Sequence, residues 1–190
     1  MMLLPMYRSA VHQFDTRVRA VRPGQWSSST PDQRWDVHRL VRHVILGQRL
    51  VPRTLDGADL EESIPWADES GPDLIDDWAA ASESAVAALS AVASWDRPIT
   101  LPEGAVTVAE YGWRLATDVT VHAWDLARAI GADDGFPNDL LGAVLDQAKG
   151  SADRWLTADR YAPPIPVPGC TDDLTELLAL TGRNRWWRRA

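Results

Sequence analysis

The chain has 190 residues, of which 45% are hydrophobic, and a formal net charge of -8. That length buries one substantial core and is short for two, and so acidic a chain lacks the concentrated basic surface that a nucleic-acid reader needs. No apolar run approaches the ~20 residues of a membrane-crossing helix, and the single cysteine, Cys170, excludes an internal disulfide framework and fits a reducing cytoplasm.

Helically spaced segments alternate with proline- or glycine-bearing connections, and no period-2 alternation lasts long enough to predict a sheet. The N-terminal residues lack the apolar core of a secretory signal. A first helix is predicted from about Met6 to Val21, with Val11, Phe14, Val18 and Val21 at helical spacing and Pro23-Gly24 as its stop. After a loop at Ser27 to Pro31, a second helix starts near Asp36, places Val37, Leu40, Val41, Val44 and Val51 on one stripe and ends near Asp56-Gly57. The acidic stretch Ala58 to Gly71, with Pro65 inside it, reads as a long crossover to a third helix at about Asp73 to Ala93. Trp95 to Gly104 is a loop with a short extended piece at Ile99 to Leu101, and a fourth helix runs from about Thr107 to Ile130 and stops at Gly131. Pro137 suits the first turn of a fifth helix carrying Leu140, Val144, Leu145, Ala148 and Trp155. Tyr161 to Gly169 is too rich in proline for a helix, while Asp172 to Leu180 suits a last short one. The expected fold is therefore all-α: a four-helix bundle forming a single domain over 1–190, with its core at about 6–156 and a proline-rich tail and short helix at 157–190. The basic end, Arg183-Asn184-Arg185-Trp186-Trp187-Arg188-Arg189, reads as a solvated terminus.

The fourth helix carries the chemistry. Asp118 and His122 stand four residues apart, one turn along the same face, where both can grip one ion. That face also holds Tyr111, Arg114, Leu115, Asp125 and Ala129, so polar groups interrupt what should be an inward stripe. A buried carboxylate needs a partner or a cation. His43, beside the apolar stripe of the second helix, is the best third ligand, because facing helices of a bundle can bring one such residue to meet a pair. Two imidazoles and a carboxylate suit zinc, and also nickel, iron or manganese, and three protein ligands leave a position open, as catalytic sites do. The competing reading is an ordinary helix-surface ion pair with His43 at the edge of the core. Asp125, three residues after His122, can accept its second ring proton, or else meet Arg128 or Arg42. Arg114 can pair with Asp118 or anchor a substrate carboxylate. His38 falls on another side of the second helix, and His12 has no partner pattern. The ten tryptophans show no spacing that marks a stacking site, so Trp113 and Trp124 read as packing aromatics, and Cys170, without a basic neighbour in sequence, reads as inert.

Trp35-Asp36-Val37-His38-Arg39-Leu40-Val41-Arg42-His43, the run from Asp118 to Gly131, and the pair Ala162-Pro-Pro-Ile-Pro-Val-Pro168 and Leu177-Leu-Ala-Leu-Thr-Gly-Arg183 together resemble the mycothiol-dependent maleylpyruvate isomerase-like proteins, within the DinB-like metal-binding bundles. The resemblance covers nearly the whole chain, and its central run is the specific part. It implies metal ligation by one histidine of the second helix and a later acidic-x-x-x-histidine pair, which fall on His43, Asp118 and His122. It further implies a divalent metal and a mycothiol-like thiol cosubstrate, with the thiol held as thiolate to attack a small electrophile in isomerisation or S-transfer. The isomerases proper carry a further C-terminal domain for which this chain is too short, so the resemblance leaves the substrate open. The expected partners are the thiol and the electrophile, without nucleic acid or membrane, and with room for a homodimer. Two other readings are a non-catalytic metal- or ligand-binding accessory protein and a metal-assisted hydrolase using water in place of thiol.

Overall fold

Side-chain caps fix where most of the helices start. In the computed structural model, whose described residues are 2–58, 73–102, 104–151, 161–167, 169 and 172–189, Asp36, Asp73, Thr107 and Asp172 each accept backbone N–H groups of the following turn. These are donors that a helix otherwise leaves without partners. The elements are α1 (Leu3–Val18), a 3-10 turn (Pro23–Gln25), α2 (Val37–Leu55), α3 (Leu74–Ser90), β1 (Pro98–Leu101), β2 (Gly104–Thr107), α4 (Val108–Ile130), α5 (Asn138–Lys149) and α6 (Asp173–Leu180). Thr107 and Glu110 close a reciprocal capping box at the head of α4, and Gly131, at φ 71°, ends it in the left-handed conformation that glycine adopts without strain.

α1 packs along α4 and α2 along α3, and smaller α2–α4 and α1–α3 contacts complete the ring, so the helices run α1, α4, α2, α3 around the bundle. Phe14, Leu40, Ile45, Trp78, Leu89, Trp124 and Leu126 fill the interior with almost no exposure. α4 is buried nearly all round, and its Thr117 and Thr120 hydroxyls donate to the carbonyls of Trp113 and Ala116, four residues back, which satisfies them inside the core. α5 lies against α4 and α1, and α6 against α5.

The all-α expectation agrees with this bundle, with local differences. α1 begins before Met6 and ends at Val18. Pro5 is tolerated in its first turn, where a missing N–H removes no helix bond. α3 stops at Ser90, short of Ala93. The piece at Ile99 to Leu101 belongs to a hairpin in which Pro98 faces Thr107 and Leu101 faces Gly104, and strands of four residues are too short to show a period of two. Most of the predicted crossover (59–72), together with Trp155 and Cys170, lies outside the described residues. No helix among the described residues is long and apolar enough to cross a membrane.

α1 packs tightly on α4 at Gly112, where an added Cβ would stand 2.7 Å from Cδ2 of Leu3, a side chain with no exposure. Gly112→Val therefore overpacks the α1–α4 seam despite its better helix propensity. We expect it to lower unfolding free energy by about 1–3 kcal/mol, read as a lower urea midpoint at unchanged slope.

Candidate metal centre

α2 and α4 bring His43, Asp118 and His122 together, with one donor atom from each within 4.8 Å of the others. The His43 and His122 rings meet edge to face at 5.2 Å between centroids. His122 Nε2 stands 3.6 Å from Asp118 Oδ1, beyond the reach of a good hydrogen bond. Tetrahedral bonds of ~2.1 Å hold their donors about 3.4 Å apart, so this pair already has the spacing of two ligands facing a common cation. The donor set and its spacing fit a divalent ion.

Neighbouring groups orient the three side chains. His122 is 2% exposed, and its Nδ1 lies 3.1 Å from Oδ2 of Asp125, which has no exposure at all. With Nδ1 donating to that carboxylate, Nε2 is the ring atom turned toward Asp118 and His43. Tyr161 donates its hydroxyl to Asp118 Oδ1 at 3.1 Å. Trp35, in the loop before α2, stacks on His43 with centroids 4.4 Å apart and the planes at 29°, and also meets His122 at 5.4 Å. The loop itself is pinned by Thr30, whose buried hydroxyl donates to the carbonyls of Asp32 and Trp35.

Burial and charge act in opposite directions on these groups. Burial, assisted by His122, pushes the His43 imidazole down to about 4 against the pull of Asp118, so His43 is neutral and able to ligate at neutral pH. For His122 burial also disfavours the charged form, but Asp118 and Asp125 outweigh it and raise the imidazole to about 9. Burial would likewise raise Asp118, yet His122, His43 and the Tyr161 hydroxyl hold its carboxyl well below the ordinary range. Tyr161 is pushed far above its ordinary value by burial and then by Asp118, and so remains a donor.

Among the described contacts, Asp125 is not paired with the Arg128 or Arg42 of the sequence expectation. Its cation is Arg183, whose Nη2 reaches Asp125 Oδ2 at 3.1 Å and Asp32 Oδ2 at 2.9 Å. The expectation of a solvated terminus holds for Asn184, Trp186, Arg188 and Arg189, which are exposed, and fails for Arg183, which is only 4% exposed. Arg185 pairs with Asp134 at 2.7 Å, Arg128 donates to the Trp187 carbonyl, and Arg189 donates to the Ala129 carbonyl at 3.0 Å, so the basic end lies across the C-terminal end of α4. Its charges find acidic and carbonyl partners that composition does not reveal. His38 and His12 are exposed, away from the cluster. Trp124 is fully buried in the core and Trp113 partly so, as packing aromatics.

Two cavities adjoin this region. One, of about 190 Å³, is lined by His43 and Asp118 with Arg114, Tyr111, Leu46 and Leu50. The other, of about 410 Å³, is lined by Asp32, Arg34, Tyr161 and Arg183. Sequence reasoning assigned no role to Trp35, Tyr161, Asp32 or Arg183. The motif strings containing Trp35 and Arg183 were the only available signal, and Tyr161 stood unmarked at the head of the proline-rich stretch.

The fold is thus a four-helix bundle with a His, Asp, His cluster between its second and fourth helices, a candidate metal centre. Residues 7–127 match the family described as mycothiol maleylpyruvate isomerase N-terminal domain, and the chain belongs to that family. Two uncharacterized proteins of Mycobacterium tuberculosis, MT0763 (strain CDC 1551) and Rv0738 (strain H37Rv), are each 30% identical over 95% of this chain and 97% of their own. Two crystal structures of the mycothiol-dependent maleylpyruvate isomerase, one of a point mutant, share the fold with TM-scores of 0.66 and 0.65 at 16% identity, over 82% of this chain and 70% of theirs.

The charge arrangement fixes a pH response. His122 titrates above the ~6.5 of a free imidazole, so in chelator-treated protein its contribution to stability is complete below about pH 6.5 and is lost as pH rises through about 9. We expect NMR of the histidine rings to show His122 protonated at pH 7 with a midpoint near 9, and His43 neutral down to about 4. Two midpoints near 6.5 would contradict this electrostatic account.

Proposed function

We propose that His43, Asp118 and His122 hold a divalent metal ion, zinc suiting the donor set best, and that the protein is a thiol-dependent enzyme of the isomerase or transferase kind. The observation that carries this reading is the convergence of three ligating side chains beside a cavity lined by two of them. When bound, such an ion supplies Lewis acidity that lowers the pKa of a small thiol and favours the attacking thiolate.

The chain's own residues do the rest. Asp125 orients the His122 ring from behind, Tyr161 steadies one oxygen of Asp118, and the face of Trp35 limits rotation of His43. Keeping donors fixed before a ligand arrives is what makes a metal site effective. Leu46, Leu50, Leu101 and Leu115 give the smaller cavity apolar walls, and Arg114 gives it a cation that suits a carboxylate on the substrate. At about 190 Å³ the cavity suits a small electrophile and lies below the ~300–1,000 Å³ of typical drug-sized sites. Membership of the family, and the mycothiol dependence in the name of the structural relative, support a mycothiol-like cosubstrate. A free thiol of that kind suits a reducing cytoplasm, and we take the bundle and its tail as one functional unit.

His43→Ala, Asp118→Ala and His122→Ala should each weaken metal binding at least tenfold, measured as zinc retained after dialysis against a chelator of graded strength. A variant that keeps the wild-type stoichiometry removes that residue from the ligand set. With zinc-loaded protein, a small thiol and an electrophilic alkene, we expect isomerised or S-conjugated product only when the thiol is present. Ester cleavage without added thiol would support the hydrolase reading instead.

A further inference from the structure

We infer that Arg183 is a positioning residue of the metal centre, holding Asp125 in the rotamer that aims the His122 ring at the other two ligands. This rests on the metal-binding reading above and adds to it a residue that lies outside the bundle helices.

Both the Arg183 guanidinium and His122 Nδ1 bond the same oxygen, Oδ2 of Asp125, each at 3.1 Å. Oδ1 of Asp125 is buried with no hydrogen-bond partner. The carboxylate is therefore held through one atom by two groups, and without Arg183 its only partner among the described residues would be the imidazole it must orient. A carboxylate with no exposure that loses its guanidinium is left with one partner, and would rotate, draw in water or push its surroundings apart. Each response loosens the support behind His122.

Arg183 is itself held from several sides. It donates to Asp32 at 2.9 Å and to the carbonyl of Thr181 at 2.8 Å, and its guanidinium lies 5.3 Å from the centre of the Tyr161 ring, the residue that bonds Asp118. One arginine thus touches the supports of two ligands, Asp125 behind His122 and Tyr161 behind Asp118. The turn that delivers it is specific. α6 ends in a pair of reversed bonds, Gly182 N–H to the Ala179 carbonyl at 3.1 Å and Arg183 N–H to the Leu178 carbonyl at 2.7 Å, with Gly182 at φ 71°. A Cβ at Gly182 would stand 2.6 Å from the carbonyl oxygen of Ala162, so the turn is also seated on the backbone next to Tyr161. Arg185, in the same terminal segment, pairs with Asp134 instead and touches none of these supports among the described contacts, which makes it the natural control.

The test measures metal affinity of the full chain by chelator competition with Zn2+, and the visible absorption bands of the Co2+ form, whose position reports ligand geometry. Arg183→Met should weaken zinc binding about 10- to 100-fold, the usual range for loss of an outer partner of a ligand, and shift the Co2+ bands. Arg183→Lys should recover part of the affinity but not the band position, because an ammonium cannot reproduce the fork of a guanidinium. Arg185→Met should stay within about twofold of wild type, showing that loosening the terminal segment is not the cause. If Arg183→Met fails to fold, Arg183→Met with Asp125→Asn removes the stranded charge and should fold with the same defect in affinity and bands. Wild-type affinity and unshifted bands in Arg183→Met, or in the double variant, overturn this inference and leave the ligand set standing. Failure of the wild-type chain to bind Zn2+ or Co2+ overturns the ligand set and this inference together.

Discussion

Asp125 has no exposure to solvent, and much of the candidate centre is organised by the need to satisfy its charge. A buried carboxylate is tolerated when hydrogen bonds and opposite charge surround it. Here one oxygen meets an imidazole of its own helix and a guanidinium from a segment 58 residues further on. The arrangement fixes the orientation of the His122 ring, with Nδ1 toward Asp125 and Nε2 toward Asp118. From there the other candidate ligands follow: Asp118 one turn earlier on α4, and His43 across from it on α2, stacked by Trp35.

The legible parts of this protein were the local ones. Helix starts at Asp36, Asp73, Thr107 and Asp172 follow from short polar side chains that cap the turn after them. The Asp118 and His122 pair could be read because a spacing of four is itself geometry on a helix, and His43 because it borders the apolar stripe that faces the bundle interior. The hairpin at 98–107 was seen only as an extended piece, since four-residue strands offer no pattern to count.

What escaped is equally physical. Trp35, Tyr161 and Arg183 sit in loops or beyond helix ends, where no period constrains the direction of a side chain. Their partners are distant in sequence: Arg183 meets Asp32 across 151 residues, and Tyr161 meets Asp118 across 43. The burial of Arg183 within the basic terminal run escapes a sequence reading because net charge and composition describe how a segment interacts with water, and are silent on acidic groups that tertiary structure places beneath it. Asp32, Asp125 and Asp134 are those groups. Structural relatives at 16% identity share the bundle, but a shared scaffold does not specify a reaction; the side chains around His122 are where the chemistry of this chain has to be decided.

The late position of Arg183 has a temporal consequence. A polypeptide is made from its N-terminus, and domains begin to fold as they emerge. α2 and α4 can therefore associate while α6 and everything after it have yet to be synthesised. Until Gly182 turns the chain and the guanidinium arrives, the nascent bundle has all three prospective ligands but lacks the arginine behind one of them. The newborn chain can thus bring α2 and α4 together while Asp125 has His122 beside it and the guanidinium of Arg183 has yet to arrive.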